Sequence, residues 1–365
     1  MDITVKTILS LVKSALYKEK TVIPENFDWE LARKIIASQE IYELTYYGMV
    51  YSDAEIPKWL KTKFLERITI LTTLWYKGEE VIAAFDKAGI DYIPLKGIVV
   101  KDYYPEPYMR HMGDVDILIH ESDYADKIKP IMLGLGYREG VESNHEFQWI
   151  KDGYLIELHK KIIPSYNKDF YNVIGDGWGW LKDGNQYAYL VAHFAKHYRD
   201  SGIGIGHLVD LEVCRKMSES SGISDLHLTK FHNNLQRTLD CWFRNAEYDE
   251  ITSFITRKII SGGEYGNRIT AMKSSTLKLI YEAGGSVKKA RIKHALRALF
   301  PTFSVMKKRY KVLKSLPFLL PFFYVWRMIC SPFRGNIKKN VAINKSIKND
   351  DYRNELKFVG LDFWF

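Results

Sequence analysis

The sequence predicts an α+β protein in which a small mixed β-sheet is flanked by helical regions on its N-terminal and C-terminal sides. Three observations carry that reading. Apolar residues recur at helical spacing through about residue 88, the period shortens to that of strands between about 90 and 165, and helical spacing returns from about 184. A chain of 365 residues can bury a substantial core without cross-links. With 46% hydrophobic and 27% charged residues the composition is ordinary for a globular protein and excludes disorder, while 14% aromatic residues point to aromatic packing or exposed aromatic surface.

The first twenty residues, MDITVKTILSLVKSALYKEK, have short apolar runs broken by lysines and read as an amphipathic helix, without the apolar stretch and cleavage site of a signal peptide. IPKWLKTKFLERITILTTLWYKGEEVIAAFDKAG continues the helical spacing, and Gly89 supplies its stop. IDYIPLKG then reads as a short buried strand ending at Lys96 and Gly97, followed by a short helix and a Pro-rich loop. DVDILIH is the next strand, and a helix over about 122 to 135 follows it. HEFQWI and YLIELHKKI form two strands around Lys151-Asp152-Gly153, where Asp-Gly is a strong hairpin signal. QYAYLVAHFAKHYRD and HLVDLEVCRKMSE return to helix. The expected organisation is a helical region over 1–88, a catalytic core over 89–182, a helical domain over 183–300 and a basic aromatic region over 301–365.

The net charge of +9 could favour nucleic acid, anionic lipid or a polyphosphate substrate. Much of the excess lies after about residue 288, in KKARIK, KKRYK and NIKKN, away from the candidate site, and nothing specifically indicates nucleic acid. Leu316 to Trp326 is too short to span a bilayer and is interrupted by Pro317 and Pro321, which leaves packing against the helical domain or peripheral membrane contact. Cys214, Cys241 and Cys330 are far apart and form no CxxC pair, as expected in a reducing, cytoplasmic compartment.

The chemistry centres on Gly113-Asp114-Val115-Asp116-Ile117-Leu118-Ile119. Strand side chains alternate, so Asp114 and Asp116 face one side, where they can hold a hard divalent cation or bridge two. Spacing alone is weak evidence, since such a pair arises by chance roughly once in a chain of this length. Asp210-Leu211-Glu212 has the same spacing within a helix, where i and i+2 diverge, and forms no joint site. Glu157 and His159 share one face of IELH, opposite Ile156 and Leu158. Glu157 could complete a metal site or take a proton from an attacking hydroxyl, and the same alternation fits the polar outer face of an edge strand. Gly97 opens the backbone to a phosphate, with a helix N-terminus behind it, and Lys96 and Arg110 could neutralise a triphosphate.

Together, LKGIVVKDYYPEPYMRHMGDVDILI and the later IELH strand resemble the uncharacterised nucleotidyltransferase family of the DNA polymerase beta-like superfamily. The resemblance covers most of residues 30 to 330 and is most specific over 93–160. It implies a sheet bearing three carboxylates and Mg2+- or Mn2+-dependent transfer of a nucleoside monophosphate from an NTP donor, with release of pyrophosphate. Asp114 and Asp116 match the paired carboxylates, Glu157 the third, and Gly97 the nucleotide-loop glycine. Lys96-Gly97 stands where the superfamily usually has Gly-Ser or Gly-Gly, and Glu157 where Asp is common. Lys96, Gly97, Arg110 and His159 are the expected nucleotide contacts.

His193 and His197 are four apart on a predicted helix but lack the glutamate of HExxH, and read as structural or supporting residues. SGIGIGH does not fit GxGxxG, and no Walker A motif is present, although the helix after that glycine loop could offer its N-terminus to an anion. Two other functions compete. A DxD glycosyltransferase would begin with a Rossmann-like βαβ domain, whereas this chain begins with helices. A catalytically degenerate nucleotide-binding or partner-binding protein would tolerate loss of Asp114. The acceptor and the base preference are not legible.

Overall fold

The structure is a computed structural model that describes residues 1–143, 145–162, 173–217, 222–282, 300–330 and 349–361, together with Lys289 and Leu296. The chain divides into two units, one formed by 1–198, 202–266 and 359–361, the other by 199–201, 267–358 and 362–365.

The first unit opens with α1 (Ile3–Tyr17), α2 (Trp29–Ser38), α3 (Tyr42–Tyr51) and α4 (Lys58–Ala88). Asp2 caps α1 by accepting from the Thr4 amide, and Asp28 caps α2 through the Leu31 amide. α3 lies almost in contact with the backbone of α1, because a Cβ at Gly48 would stand 2.0 Å from the Leu11 carbonyl oxygen. α4 ends where the sequence predicts, at Gly89 with φ 63°.

β1 (Tyr92–Leu95), the single turn α5 (Gly97–Val100) and β2 (Asp114–Ile119) come next, then α6 (Lys129–Gly134), β3 (Arg138–Glu142), β4 (Glu146–Lys151) and β5 (Tyr154–His159). The five strands order as β1-β2-β5-β4-β3. β2 and β5 run parallel, and the other neighbours are antiparallel. Asp152 and Gly153 both take positive φ in the β4–β5 hairpin turn, as its Asp-Gly sequence predicts.

One sheet face carries Val115, Ile117, Ile119, Phe147, Trp149, Ile156 and Leu158 into a core shared with Leu71, Leu74, Val81 and Phe85 of α4. Burial of that face fixes the register, and a one-residue slip would turn every apolar side chain outward. Lys77 of α4 bonds Asp152 at 2.8 Å, and Glu80 bonds Lys151 at 2.9 Å, so the same helix also holds the hairpin turn. The unit continues with α7 (Trp178–Lys182), α8 (Gln186–Asp200, whose last two residues belong to the second unit), α9 (Ile205–Val213), α10 (Thr229–Phe243) and α11 (Glu250–Gly262).

The second unit contains α12 (Arg268–Glu282), α13 (Phe303–Arg309), α14 (Leu320–Cys330) and α15 (Asn349–Val359). Buried Tyr352 donates its hydroxyl to the Arg199 carbonyl, and Ser274 donates to Asp200 Oδ1 at 3.1 Å. Among the described residues no helix is long and apolar enough to cross a membrane.

Candidate active site

The face of the sheet opposite α4 carries the candidate site residues. Alternation along β2 sends Val115 and Ile117 into the core and brings Asp114 and Asp116 to the other side. Asp116 is paired with Glu157 in the parallel β2–β5 register, two residue pairs before Leu118 and His159. β5 is the central strand, so its polar residues are not the solvated face of a sheet edge. The ligand atoms of Asp116, Glu157 and His159 lie within 4.8 Å of one another. Asp114 stands two residues before Asp116 on the same face and outside that close set.

The cluster is largely dry and only partly neutralised. Lys96 Nζ donates to Asp116 Oδ1 at 2.8 Å, and His159 Nε2 reaches the same oxygen at 2.6 Å. Because a carboxylate only accepts, that contact puts the ring proton on Nε2, leaving the buried Nδ1 as an acceptor with no partner among the described residues. Burial alone would raise the Asp116 carboxyl, yet Lys96 and then His159 hold it well below the usual carboxylate range. For Asp114 the balance is reversed: burial, followed by the charge of Asp116, outweighs the opposing charges of Lys96 and Arg110 and pushes it up to about 7. Burial, Asp116 and Glu146 raise Glu157 as well, opposed by Gln148, whose Nε2 donates to Glu157 Oε1 at 2.9 Å. His159 is lowered, chiefly by burial, and stays neutral. Carboxylates crowded on one buried face with a single lysine and a neutral imidazole are a donor set suited to a hard divalent cation.

The turn into α5 supplies Lys96 in an unusual way. Its backbone has φ 50° and ψ −120°, a region non-glycine residues rarely occupy and one that costs on the order of 1–3 kcal/mol where it persists. Gly97 is buried, and a Cβ there would meet Arg110 Nη1 at 3.0 Å and Met112 at 3.3 Å. The glycine therefore makes room for Arg110. α5 is four residues long, so few peptide dipoles are aligned behind this turn.

Arg110 does not present a free guanidinium. It donates through Nη2 and Nε to the two oxygens of Asp210, at 2.8 and 3.2 Å, and through Nη1 to the His111 carbonyl. Tyr104 adds a hydroxyl donor to Asp210 Oδ1 at 2.6 Å. Asp210 supports the loop below Gly97, while Glu212 bonds Tyr17, Arg215 and Arg244, so the two acids of the helical DxE diverge as expected. The N-terminus of α9 is already occupied: Gln39 Oε1 accepts from the Ile205 amide, and the Glu264 carboxylate lies 3.5 Å from where a Gly206 Cβ would stand.

Sequence reasoning passed over two side chains. Gln148 shares a β4 face with Glu146 in HEFQWI, and that alternation was the signal available. Tyr189 on α8 is 1% exposed, with a hydroxyl that has no hydrogen-bond partner among the described residues, and the charges of Lys96, Asp116, Glu157 and Asp114 all act on it. Within its apolar run it reads as a core residue. His193, one turn further on, is half-buried and held neutral, first by desolvation and then by Lys96. Among the described residues neither His193 nor His197 joins a ligand cluster.

A family model described as uncharacterised nucleotidyltransferase matches residues 25–225, more than half of the chain and all five strands. The chain belongs to this nucleotidyltransferase family. No curated protein and no solved structure was found to match it. Family membership supports a general role in nucleotidyl transfer, and the matched span contains Lys96, Gly97, Arg110, Asp114, Asp116, Glu157 and His159.

Proposed function

We propose that this nucleotidyltransferase moves a nucleoside monophosphate from an NTP to a hydroxyl or phosphate acceptor, with Mg2+ or Mn2+ held by Asp114, Asp116 and Glu157. The observation that carries the reading is the pairing of Asp116 with Glu157 on adjacent parallel strands, with Asp114 on the same face. Together with buried His159, these groups match the oxygen-rich donor set of a hard cation. When bound, the ion would neutralise triphosphate charge and favour ionisation of the attacking hydroxyl.

The side chains of the protein do the rest. Asp116 stays ionised because Lys96 and His159 both reach Oδ1. Glu157, steadied by Gln148, takes the proton of the acceptor hydroxyl. The acceptor oxygen bonds to the α-phosphorus as the bond from that phosphorus to the bridging oxygen breaks, and pyrophosphate leaves with the electron pair. Lys96 meets the triphosphate charge by moving from Asp116 to phosphate oxygens. Arg110 acts indirectly, by holding the turn at Gly97. Buried free thiols at Cys214 and Cys241 suit a reaction carried out in the reducing cytoplasm.

A sugar-nucleotide transferase is less well supported, since among the described strands β2 and β5 form the one parallel pair and the first strand starts at Tyr92. The test is calorimetric titration of the four NTPs with and without Mg2+, using the wild-type chain and the Asp114→Ala, Asp116→Ala double variant. Metal-dependent binding that the double variant loses is expected and would name the donor base. Binding of a UDP-sugar in place of every NTP would favour glycosyl transfer, and binding of neither would favour a degenerate protein.

A further inference from the structure

We infer that the second unit docks on an anionic lipid bilayer, laying the aromatic face of α14 into the headgroup layer. The first argument is charge. Residues 283–349 contain sixteen of the 53 Lys and Arg of the chain and none of its 44 Asp and Glu. The other 298 residues therefore hold 37 basic against 44 acidic side chains, a net charge of −7, so the positive excess of the whole protein lies in this one segment. An anionic surface attracts that segment and repels the remainder.

The second argument is an inverted helix face. Phe322, Val325, Trp326 and Ile329 fall at i, i+3, i+4 and i+7, which is one side of α14, and Phe318 lies one turn earlier. All five are exposed, Phe318 by 72%, Phe322 by 62%, Ile329 by 60%, Val325 by 51% and Trp326 by 49%. The opposite side is the anchored one. Tyr324 donates its hydroxyl to the Pro301 carbonyl at 2.7 Å, and the Phe323 ring lies 4.4 Å from that of Tyr310. Toward solvent the helix thus presents four large apolar side chains, with Phe318 just before it, where a water-facing helix carries polar ones.

The ligand follows from the combination. An eleven-residue helix is about 16 Å long, too short to cross a bilayer but suited to lying in its interface. Exposed Lys311 and Lys314 stand just before the apolar face, where they can meet lipid phosphates. Val325 and Ile329 have no ring to stack on a base, so the face fits acyl chains better than a nucleic acid.

The experiment is co-sedimentation of the full chain with vesicles of phosphatidylcholine alone and of phosphatidylcholine mixed with phosphatidylglycerol. Binding only to the anionic vesicles, weakened by salt, is expected. Phe322→Ser with Trp326→Ser should weaken it by tenfold or more, on the order expected for losing two inserted rings. Lys311→Gln with Lys314→Gln should weaken it by about 30-fold, at roughly 1 kcal/mol per charge. Both pairs leave Phe323 and Tyr324 in place, and circular dichroism checks that they fold as the wild type does. No binding to anionic vesicles would overturn the inference, as would binding that both pairs retain. Binding of short single-stranded RNA in place of vesicles, lost in the same variants, would overturn it in favour of nucleic acid.

Discussion

Lys96 and Asp116 face each other across the β1–β2 pair, with Nζ 2.8 Å from Oδ1 and both side chains largely buried. A lysine reached through a strained turn is the main positive charge at the centre of an acidic cluster, and the site is assembled around it. Breaking a buried ion pair by removing one partner leaves an uncompensated charge. In chelator, Lys96→Ala is therefore expected to cost about 3 kcal/mol of stability. Millimolar Mg2+ should restore much of that loss by supplying the missing charge, while leaving the Asp116→Ala, Lys96→Ala pair unaffected. Chemical denaturation with and without the ion measures both effects.

Asp114 should behave in the opposite sense. Its folded carboxyl is pushed up to about 7 by burial and Asp116, above its unfolded value near 3.9. A raised carboxyl binds its proton more tightly in the folded chain, so metal-free stability is greatest below the unfolded value and declines as pH rises toward 7. Asp114→Asn is expected to stabilise the metal-free protein at pH 8 by at least about 1 kcal/mol, taking roughly 1.4 kcal/mol per pKa unit. The same variant should lose nucleotidyl transfer by a hundredfold or more, a separation of stability from activity expected of a functional carboxylate.

Acid should destabilise the protein through two histidines outside the carboxylate cluster. Burial holds His111 down to about 3 and His232 down to about 4, against about 6.5 unfolded. Between those values the unfolded chain takes up protons that the folded chain refuses, so stability is full above about pH 6.5 and falls as pH drops toward 4. His111→Leu should flatten that decline. Denaturation midpoints measured from pH 7.5 to 4.5 check it, and an unchanged slope would mean that His111 does not stay neutral.

The alternation in DVDILI and IELH made the acidic face legible, because one buried face of a central sheet fixes where every second side chain points. The Asp-Gly turn and the stop at Gly89 were legible for a similarly local reason, since each needs a backbone angle that few residues tolerate. β3 was not read. REGVE is exposed throughout and lacks apolar alternation, so its strand character comes from pairing with β4. Arg110 reads as a phosphate ligand in the sequence, where no local signal links it to its partner Asp210, 100 residues away. In YLVAHFAKH an apolar helix face and a site-facing tyrosine look alike, which is why Tyr189 went unnoticed.

Tyr189 offers a test that separates packing from chemistry. Its hydroxyl is buried, makes no hydrogen bond among the described residues and feels the charges of Lys96 and all three carboxylates. A buried hydroxyl left unpaired costs about 1–3 kcal/mol, so it serves stability poorly. Tyr189→Phe, which removes only that oxygen, is expected to leave the fold intact and to stabilise it by about 1 kcal/mol. If the hydroxyl finds its partner in the bound NTP or acceptor, the variant should lower kcat/KM for transfer by roughly tenfold, the loss of one hydrogen bond at 1.4 kcal/mol per decade. Steady-state pyrophosphate release beside a denaturant titration gives both numbers. Gained stability with unchanged kinetics would make Tyr189 an ordinary core residue, whereas gained stability with lost activity would make it part of the site.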